Sequence, residues 1–148
     1  METKRNLSIY LSCLIFFCTL YTHSQIIYQF NKPVANYKHP YIYKGLSNFS
    51  TDIIGTLHKS RIFNSKNTLQ SNIVLTVSKN TIYRGSLPTY PNIIYTYKTN
   101  YLYKKGSTSP TYTYINNKLY KGSYIHPSNI IATTSSYIPI YVLAYLLE

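Results

Sequence analysis

The clearest pattern in the chain is an alternation of apolar and polar residues that recurs with a period of 20 positions. Residues 72–83 align with residues 92–103, and five of the twelve aligned positions are identical. A shorter third copy occupies residues 112–120. Alternating Tyr, Thr and aliphatic residues are typical of strands with two different faces, and the asparagines within each copy favour turns. The pattern therefore predicts one antiparallel β-hairpin per copy.

Each copy ends in a similar short motif. Tyr, one or two basic residues, Gly and Ser close the copies at residues 83–86, 103–107 and 120–123, and a proline follows each ending. Proline ends a strand because it cannot donate to the ladder of hydrogen bonds. The stretch 43–45 resembles an earlier copy of the motif. A chain with so few residue types can also match itself by chance, and this alternative stays open.

The region before the repeats lacks this periodicity. Residues 25–71 contain Pro33 and Pro40, and we expect them to be extended or irregular. A short helix is expected near residues 52–62, because an acidic residue at its start, Asp52, and basic residues at its end would complement the helix dipole.

The region after the repeats is uncharged until its last residue. We expect this apolar C-terminal tail, residues 128–148, to be a buried last strand or an exposed tail rather than a membrane span. The expected fold class is therefore mostly β or partly disordered. Small Tyr-rich antiparallel hairpins at residues 72–127 follow an N-terminal signal-like apolar segment.

The first 24 residues have the three parts of a secretory signal peptide. Lys4 and Arg5 form a basic start, residues 7–21 are apolar and uncharged, and small residues precede a cleavage position after Ser24. The apolar run is shorter than the roughly 20 residues of a membrane-spanning helix. The sequence predicts a mature chain that begins at Gln25. An uncleaved signal anchor and a chance apolar start are the alternatives.

Composition excludes several kinds of site. The 148 residues include 15 Lys and Arg against 3 acidic residues, a net charge of +12. An acid-rich calcium site and a mechanism based on paired carboxylates are therefore excluded. The 2 cysteines lie inside the predicted signal, which excludes a disulfide scaffold. Codon bias in an A/T-rich genome is an alternative to a functional reason for the 19 tyrosines and the many Ile, Asn and Lys residues.

No motif in the sequence indicates catalysis. The four histidines, His23, His39, His58 and His126, lack metal-ligand spacing to one another and to Cys, Asp or Glu. The serines lack the glycines of a nucleophile elbow, and the chain has no glycine-rich phosphate loop. We therefore expect a protein that is not an enzyme, with no catalytic residues, no metal site and no cofactor.

Adjacent Tyr–base pairs are more frequent than composition predicts. Six such pairs occur after residue 24, whereas about two are expected by chance. Neighbouring side chains on a strand point to opposite faces, so the pairs predict one Tyr-rich face and one basic face. The predicted basic face comprises Lys38, Lys44, Arg84, Lys98, Lys104, Lys105 and Lys121.

One modification motif is present. The triplet Asn48-Phe49-Ser50 matches the acceptor pattern for N-glycosylation. A chain this rich in Asn, Ser and Thr is expected to contain at least one such triplet by chance. Asn48 is therefore a candidate that carries little weight.

These observations leave three hypotheses for the function. The first is a small secreted or surface-associated basic protein that is structural or binds polyanions weakly. Its partners would be acidic polysaccharide, wall polymer or an anionic membrane surface, and we do not expect specific nucleic-acid binding. The second is a lineage-restricted or dubious open reading frame with no settled role. The third is a small single-pass membrane protein, anchored by its first 24 residues, its last 19, or both.

Overall fold

The computed structural model describes residues 24–148, which fold into twelve β-strands and one α-helix. The strands are β1 Gln25–Gln29, β2 Lys32–Lys38, β3 Tyr41–Lys44, β4 Ile53–His58, β5 Arg61–Phe63, β6 Ile73–Ser78, β7 Thr81–Arg84, β8 Ile93–Lys98, β9 Tyr101–Lys104, β10 Tyr112–Ile115, β11 Lys118–Lys121 and β12 Ile130–Thr134. The helix α1 is Ile140–Leu147. Single 3₁₀ turns precede β4, β6, β8 and β12, at Ser50–Asp52, Gln70–Asn72, Tyr90–Asn92 and Pro127–Asn129.

The twelve strands form one closed antiparallel barrel. Each strand pairs with its neighbours in the chain, and β1 closes the ring by pairing with β12, where Ile27 lies opposite Thr134. Closure leaves no strand edge open to another chain.

The connections between antiparallel strands alternate between the two ends of the barrel. We call one end the turn end, because it carries five two-residue turns, at residues 39–40, 59–60, 79–80, 99–100 and 116–117. We call the opposite end the loop end, and its connections are residues 30–31, 45–52, 64–72, 85–92, 105–111 and 122–129.

The barrel consists of six copies of one unit. A unit is a strand that runs from the loop end to the turn end, followed by a strand that returns. Five units are consecutive hairpins, β2–β3, β4–β5, β6–β7, β8–β9 and β10–β11, and the sixth consists of β12 and β1. The barrel can therefore close only when the first and the last strand are both in place.

Each returning strand places one aliphatic side chain at the same level of the interior. These six side chains are at most 2% exposed: Ile27, Ile42, Ile62, Ile82, Leu102 and Leu119. Each pairs with an inward residue of the next unit, as Ile62 does with Leu75 and Ile82 with Tyr95. Full burial of one such side chain contributes about 1.5–3 kcal/mol. The ring is therefore a large part of the core.

The helix α1 fills the interior of the barrel. Val142, Leu143 and Ala144 are consecutive, yet none is more than 2% exposed. Three consecutive residues point in three directions around a helix, so α1 is buried over more than half of its circumference, and Tyr141 and Tyr145 on the remaining side are half-buried. These residues belong to the same hydrophobic cluster as the ring of aliphatic side chains.

Two hydrogen bonds and one close contact fix α1 in the barrel. The N–H of Ile138 donates to the hydroxyl of Tyr114 at 3.1 Å, near the turn end. Near the loop end, the hydroxyl of Tyr145 donates to the carbonyl of Ile54. A Cβ atom at Gly55 would lie 3.0 Å from Cε1 of Tyr145. A side chain at position 55 would therefore require the ring of Tyr145 to shift.

A repeated contact attaches the loops to the barrel wall. Thr56, Thr76 and Thr113 hold equivalent positions in their units and are buried. The hydroxyl of each donates to a carbonyl nine residues later, at 2.6–2.7 Å, in Ser65, Gly85 and Gly122. A buried hydroxyl without a partner would be costly, so these bonds fix the course of the loops.

The structure confirms the mostly β fold and the Tyr-rich hairpins. The hairpins also extend beyond residues 72–127, since residues 25–71, expected to be extended or irregular, form β1 to β5. The short helix expected near residues 52–62 is wrong. Lys59 and Ser60 have φ values of 45° and 61°, and this left-handed turn makes β4 and β5 a hairpin.

The apolar C-terminal tail is divided between two elements. Residues 128–148 contain the strand β12 and the helix α1, and the helix was not predicted. Across residues 24–148, no helix has the length and apolar character needed to span a bilayer. The predicted signal peptide lies outside the described residues, except for Ser24.

Candidate functional site

The seven residues of the predicted basic face lie at both ends of the barrel and do not form one face. Lys38 and Lys98 end β2 and β8 at the turn end. The other five lie at the loop end: Lys44, Arg84, Lys104, Lys105 and Lys121. Each Tyr–base pair does alternate across its strand. The basic residues are nevertheless divided between the two ends, because strands that run from the loop end to the turn end finish at one end and the returning strands finish at the other.

The turn end is strongly basic. Thirteen Lys and Arg residues follow residue 24, and six of them border the turns: Lys38, Lys59, Arg61, Lys79, Lys98 and Lys118, with His39 and His58 beside them. Within residues 24–148, both acidic side chains, Asp52 and Glu148, lie at the loop end. The potential at the turn end is therefore positive, and the N-terminus of α1 at this end adds to it.

A cavity of about 460 Å³ opens at the turn end. It lies between three neighbouring turns and the first turn of α1, and its size is within the usual range for small-ligand pockets. Its walls are formed by His39 and Pro40, by Leu57, His58, Lys59 and Ser60, by Val77 and Lys79, and by Tyr97 and Tyr141.

Hydrogen bonds from the barrel interior fix two walls of this cavity. The hydroxyl of Tyr97 donates to the carbonyl of Lys79 at 2.9 Å, so β8 holds the neighbouring turn in place. The hydroxyl of Tyr37 lies 3.0 Å from Nδ1 of His39 and orients the imidazole. The turn at Lys79 and the imidazole of His39 are thus held in place, and the side chain of Lys79 is exposed.

The tyrosines around the cavity are protonated at physiological pH. Burial, and secondarily the neighbouring Tyr141, raises the pKa of Tyr37 to about 12. Burial also raises the pKa of Tyr97 and of Tyr141; the nearby Tyr137 adds to both effects, and Tyr97 adds to that on Tyr141. These phenols contribute no negative charge, so the cavity keeps the positive charge of its lysines.

Within residues 24–148, the metal-ligand and Asp–His combinations considered from the sequence are not assembled. No three His, Cys, Asp or Glu side chains within residues 24–148 are placed as metal ligands. Asp52 and His58 lie at opposite ends of β4, about 20 Å apart at about 3.3 Å per residue. What the cavity offers chemically is charge and hydrogen bonding to an anion.

The candidate glycosylation residue Asn48 is exposed in the loop that precedes β4. Its Oδ1 accepts a hydrogen bond from Nδ2 of the buried Asn36 at 2.9 Å. This bond fixes the side chain against the barrel wall. Glycosylation of Asn48 stays a prediction.

Sequence reasoning missed the cavity residues. His39, Lys59 and Lys79 recur 20 positions apart, which is the period of the repeat, and each lies in a two-residue turn. Extending the period upstream from residue 72 would have aligned these three residues. That signal would have found the basic turns, although the cavity itself depends on closure of the barrel.

The fold defines a class of protein: a closed β-barrel of six two-stranded units around a central helix, with one end that carries basic and no acidic side chains within residues 24–148. Over residues 28–143 the chain matches the family model described as "6-fold beta flower protein", and the chain belongs to this family. The six units of the barrel agree with that description. No curated protein and no solved structure gave a match.

The raised tyrosine pKa values predict a loss of stability at high pH. A phenol whose pKa lies above its unfolded value of about 10 keeps its full contribution to stability below pH 10. Because the unfolded chain releases the proton first, stability falls between pH 10 and the folded pKa of Tyr37, about 12. We expect part of the tyrosinate absorbance to appear only together with the loss of the β circular dichroism spectrum.

The control for this titration is a substitution at an exposed tyrosine. Tyr124→Phe should leave the unfolding transition unchanged, because Tyr124 is 71% exposed. Ionisation of all tyrosines near pH 10 with an unchanged β spectrum would contradict the burial of Tyr37, Tyr97 and Tyr141.

Proposed function

We propose that the protein is a non-enzymatic secreted or surface-associated protein that binds acidic polysaccharide at its turn end. The observation that carries this proposal is the cavity, bordered by Lys59, Lys79 and two histidines at an end without acidic side chains in residues 24–148. Membership of a family with a matching six-fold fold favours a folded protein over a dubious open reading frame.

The chemistry of the cavity favours a sugar-borne anion over nucleic acid. Binding of single-stranded nucleic acid uses aromatic rings that are presented for stacking on bases. At the cavity, Tyr37 is buried, and Tyr97 is half-buried with its hydroxyl bonded to the carbonyl of Lys79. The exposed rings at the turn end, Tyr101 and Tyr137, lie outside the cavity walls. Hydroxyl groups and flexible ammonium groups suit the sulfates, carboxylates and hydroxyls of an acidic sugar. Such exposed contacts contribute only about 0–1 kcal/mol each, so we expect weak binding.

We also propose that the chain is exported and cleaved before Gln25. The first strand begins at this residue, so cleavage after Ser24 would leave every strand of the barrel intact. We expect the intact mass of protein recovered from an exporting cell to start at Gln25. Recovery with residues 1–24 attached would contradict this proposal, and resistance of that protein to carbonate extraction would support the single-pass membrane alternative.

Binding at the turn end predicts salt-sensitive retention on a sulfated polysaccharide resin. Charge interactions are screened over about 8 Å at physiological ionic strength, so elution should occur between about 0.1 and 0.5 M salt. The double variant Lys59→Ala/Lys79→Ala should bind a soluble sulfated oligosaccharide about tenfold more weakly. This follows because two contacts of about 0.7 kcal/mol each amount to one factor of ten.

The matched control for this prediction is Lys66→Ala/Lys105→Ala, which removes the same charge at the loop end. It should keep most of the affinity. Equal losses in both double variants would mean that dispersed charge, and not the cavity, binds the polymer. Absence of retention at low salt would refute the proposal, and retention in 1 M salt would exclude charge as its cause.

A further inference from the structure

The exposed apolar side chains of the protein are concentrated at the loop end. Ten large apolar or aromatic side chains in residues 24–148 are exposed, and only Tyr101 and Tyr137 lie at the turn end. The other eight lie in the loop-end connections and are 50–86% exposed: Phe30, Leu46, Phe49, Leu69, Leu87, Tyr90, Tyr124 and Ile125. An apolar set of this size on one side of a small protein marks an interaction surface.

These side chains project from loops whose course is fixed. Gly85 and Gly122 have φ values of 72° and 80°, a left-handed backbone conformation that glycine adopts without strain. Their carbonyls accept hydrogen bonds from the buried hydroxyls of Thr76 and Thr113. Leu87 and the pair 124–125 lie two or three residues further along the chain, so these three exposed side chains have defined positions at the loop end.

Basic residues are interspersed with this apolar set. Seven of them lie at the loop end: Lys32, Lys44, Lys66, Arg84, Lys104, Lys105 and Lys121. The Nζ atom of Lys105 lies 4.6 Å from the centre of the Tyr90 ring, which joins a cation to an exposed aromatic side chain. The two acidic side chains at this end are engaged, since Asp52 accepts a hydrogen bond from Ser47 and Glu148 pairs with Arg84.

We propose that the loop end docks on an anionic phospholipid membrane. The apolar and aromatic residues would enter the interfacial layer, and the basic residues would contact lipid phosphates, the combination used by interfacial membrane-binding surfaces. Five of the six loop-end connections carry such residues, so they form a broad, nearly circular surface and not a groove for one peptide. This surface is opposite the cavity, and the proposal does not rest on polysaccharide binding.

The natural chain contains no tryptophan, which permits a site-specific fluorescence test. We would place one tryptophan at the loop end, Phe49→Trp, and one at the turn end, Tyr101→Trp, in the exported protein. Vesicles of phosphatidylcholine with about one third phosphatidylglycerol supply the negative surface. We expect a blue shift of Phe49→Trp emission with these vesicles, and no shift for Tyr101→Trp or with phosphatidylcholine alone.

Sedimentation with the same vesicles tests the contribution of the apolar residues. Phe49→Ser/Leu87→Ser should weaken binding about tenfold or more, since less apolar area enters the interface. This variant should keep its retention on the sulfated resin, and Lys59→Ala/Lys79→Ala should keep its vesicle binding. Failure of one proposal is thereby distinguishable from failure of the other.

Three results would overturn the membrane proposal. The first is an unshifted Phe49→Trp spectrum with anionic vesicles, and the second is an equal shift for Tyr101→Trp. The third is a wild type that ignores vesicles but self-associates, with a monomeric Phe49→Ser/Leu87→Ser variant. That third result would show that the loop end binds a second copy of the chain.

Discussion

A closed barrel of twelve strands has an interior too wide for its own side chains to fill, and the rest of this structure depends on how that space is occupied. Eight strands enclose a space that wall side chains can pack. Here the helix α1 supplies the missing volume with Val142, Leu143 and Ala144, each nearly or fully inaccessible to solvent. Because residue 55 is a glycine, the ring of Tyr145 packs directly against the barrel wall at this position. The helix and the barrel therefore stabilise each other.

Closure by the two ends of the described chain also determines where function can lie. Since β1 completes the unit begun by β12, the wall is continuous and its surface variation is confined to the connections. The short turns carry bases around a cavity, whereas the longer connections carry apolar residues and bases together. One scaffold thus presents two chemically different ends. The proposals for polysaccharide and for membrane concern separate surfaces for this reason.

The local alternation of apolar and polar residues was sufficient to predict hairpins, but it did not predict that the hairpins close into a barrel. The copies at residues 72–120 were found because similar residues recur there with a period of 20 and apolar and polar residues alternate within each copy. The unit β4–β5 was hidden because Gly55 breaks its apolar pattern, and Gly55 packs closely against the ring of Tyr145, 90 residues later in the chain. The tail was ambiguous because α1 consists of aliphatic residues and tyrosines only and therefore has no polar face. The sequence identified individual basic residues and predicted that they share one face. In the structure they are divided between two ends, because neighbouring strands of the barrel run in opposite directions.

Native-state hydrogen exchange on the intact chain tests most directly whether the helix and the closing strand hold the barrel together. We expect the amides of Val142, Leu143 and Ala144 to exchange with the same high free energy of opening as those of Ile27 in β1 and Ile82 in β7. Such equality would show that helix, closing strand and wall open only in global unfolding. If the amides of α1 or β1 exchange through a low-energy opening while β6 to β9 stay protected, the barrel does not depend on its helix or on its closure, and the account is wrong.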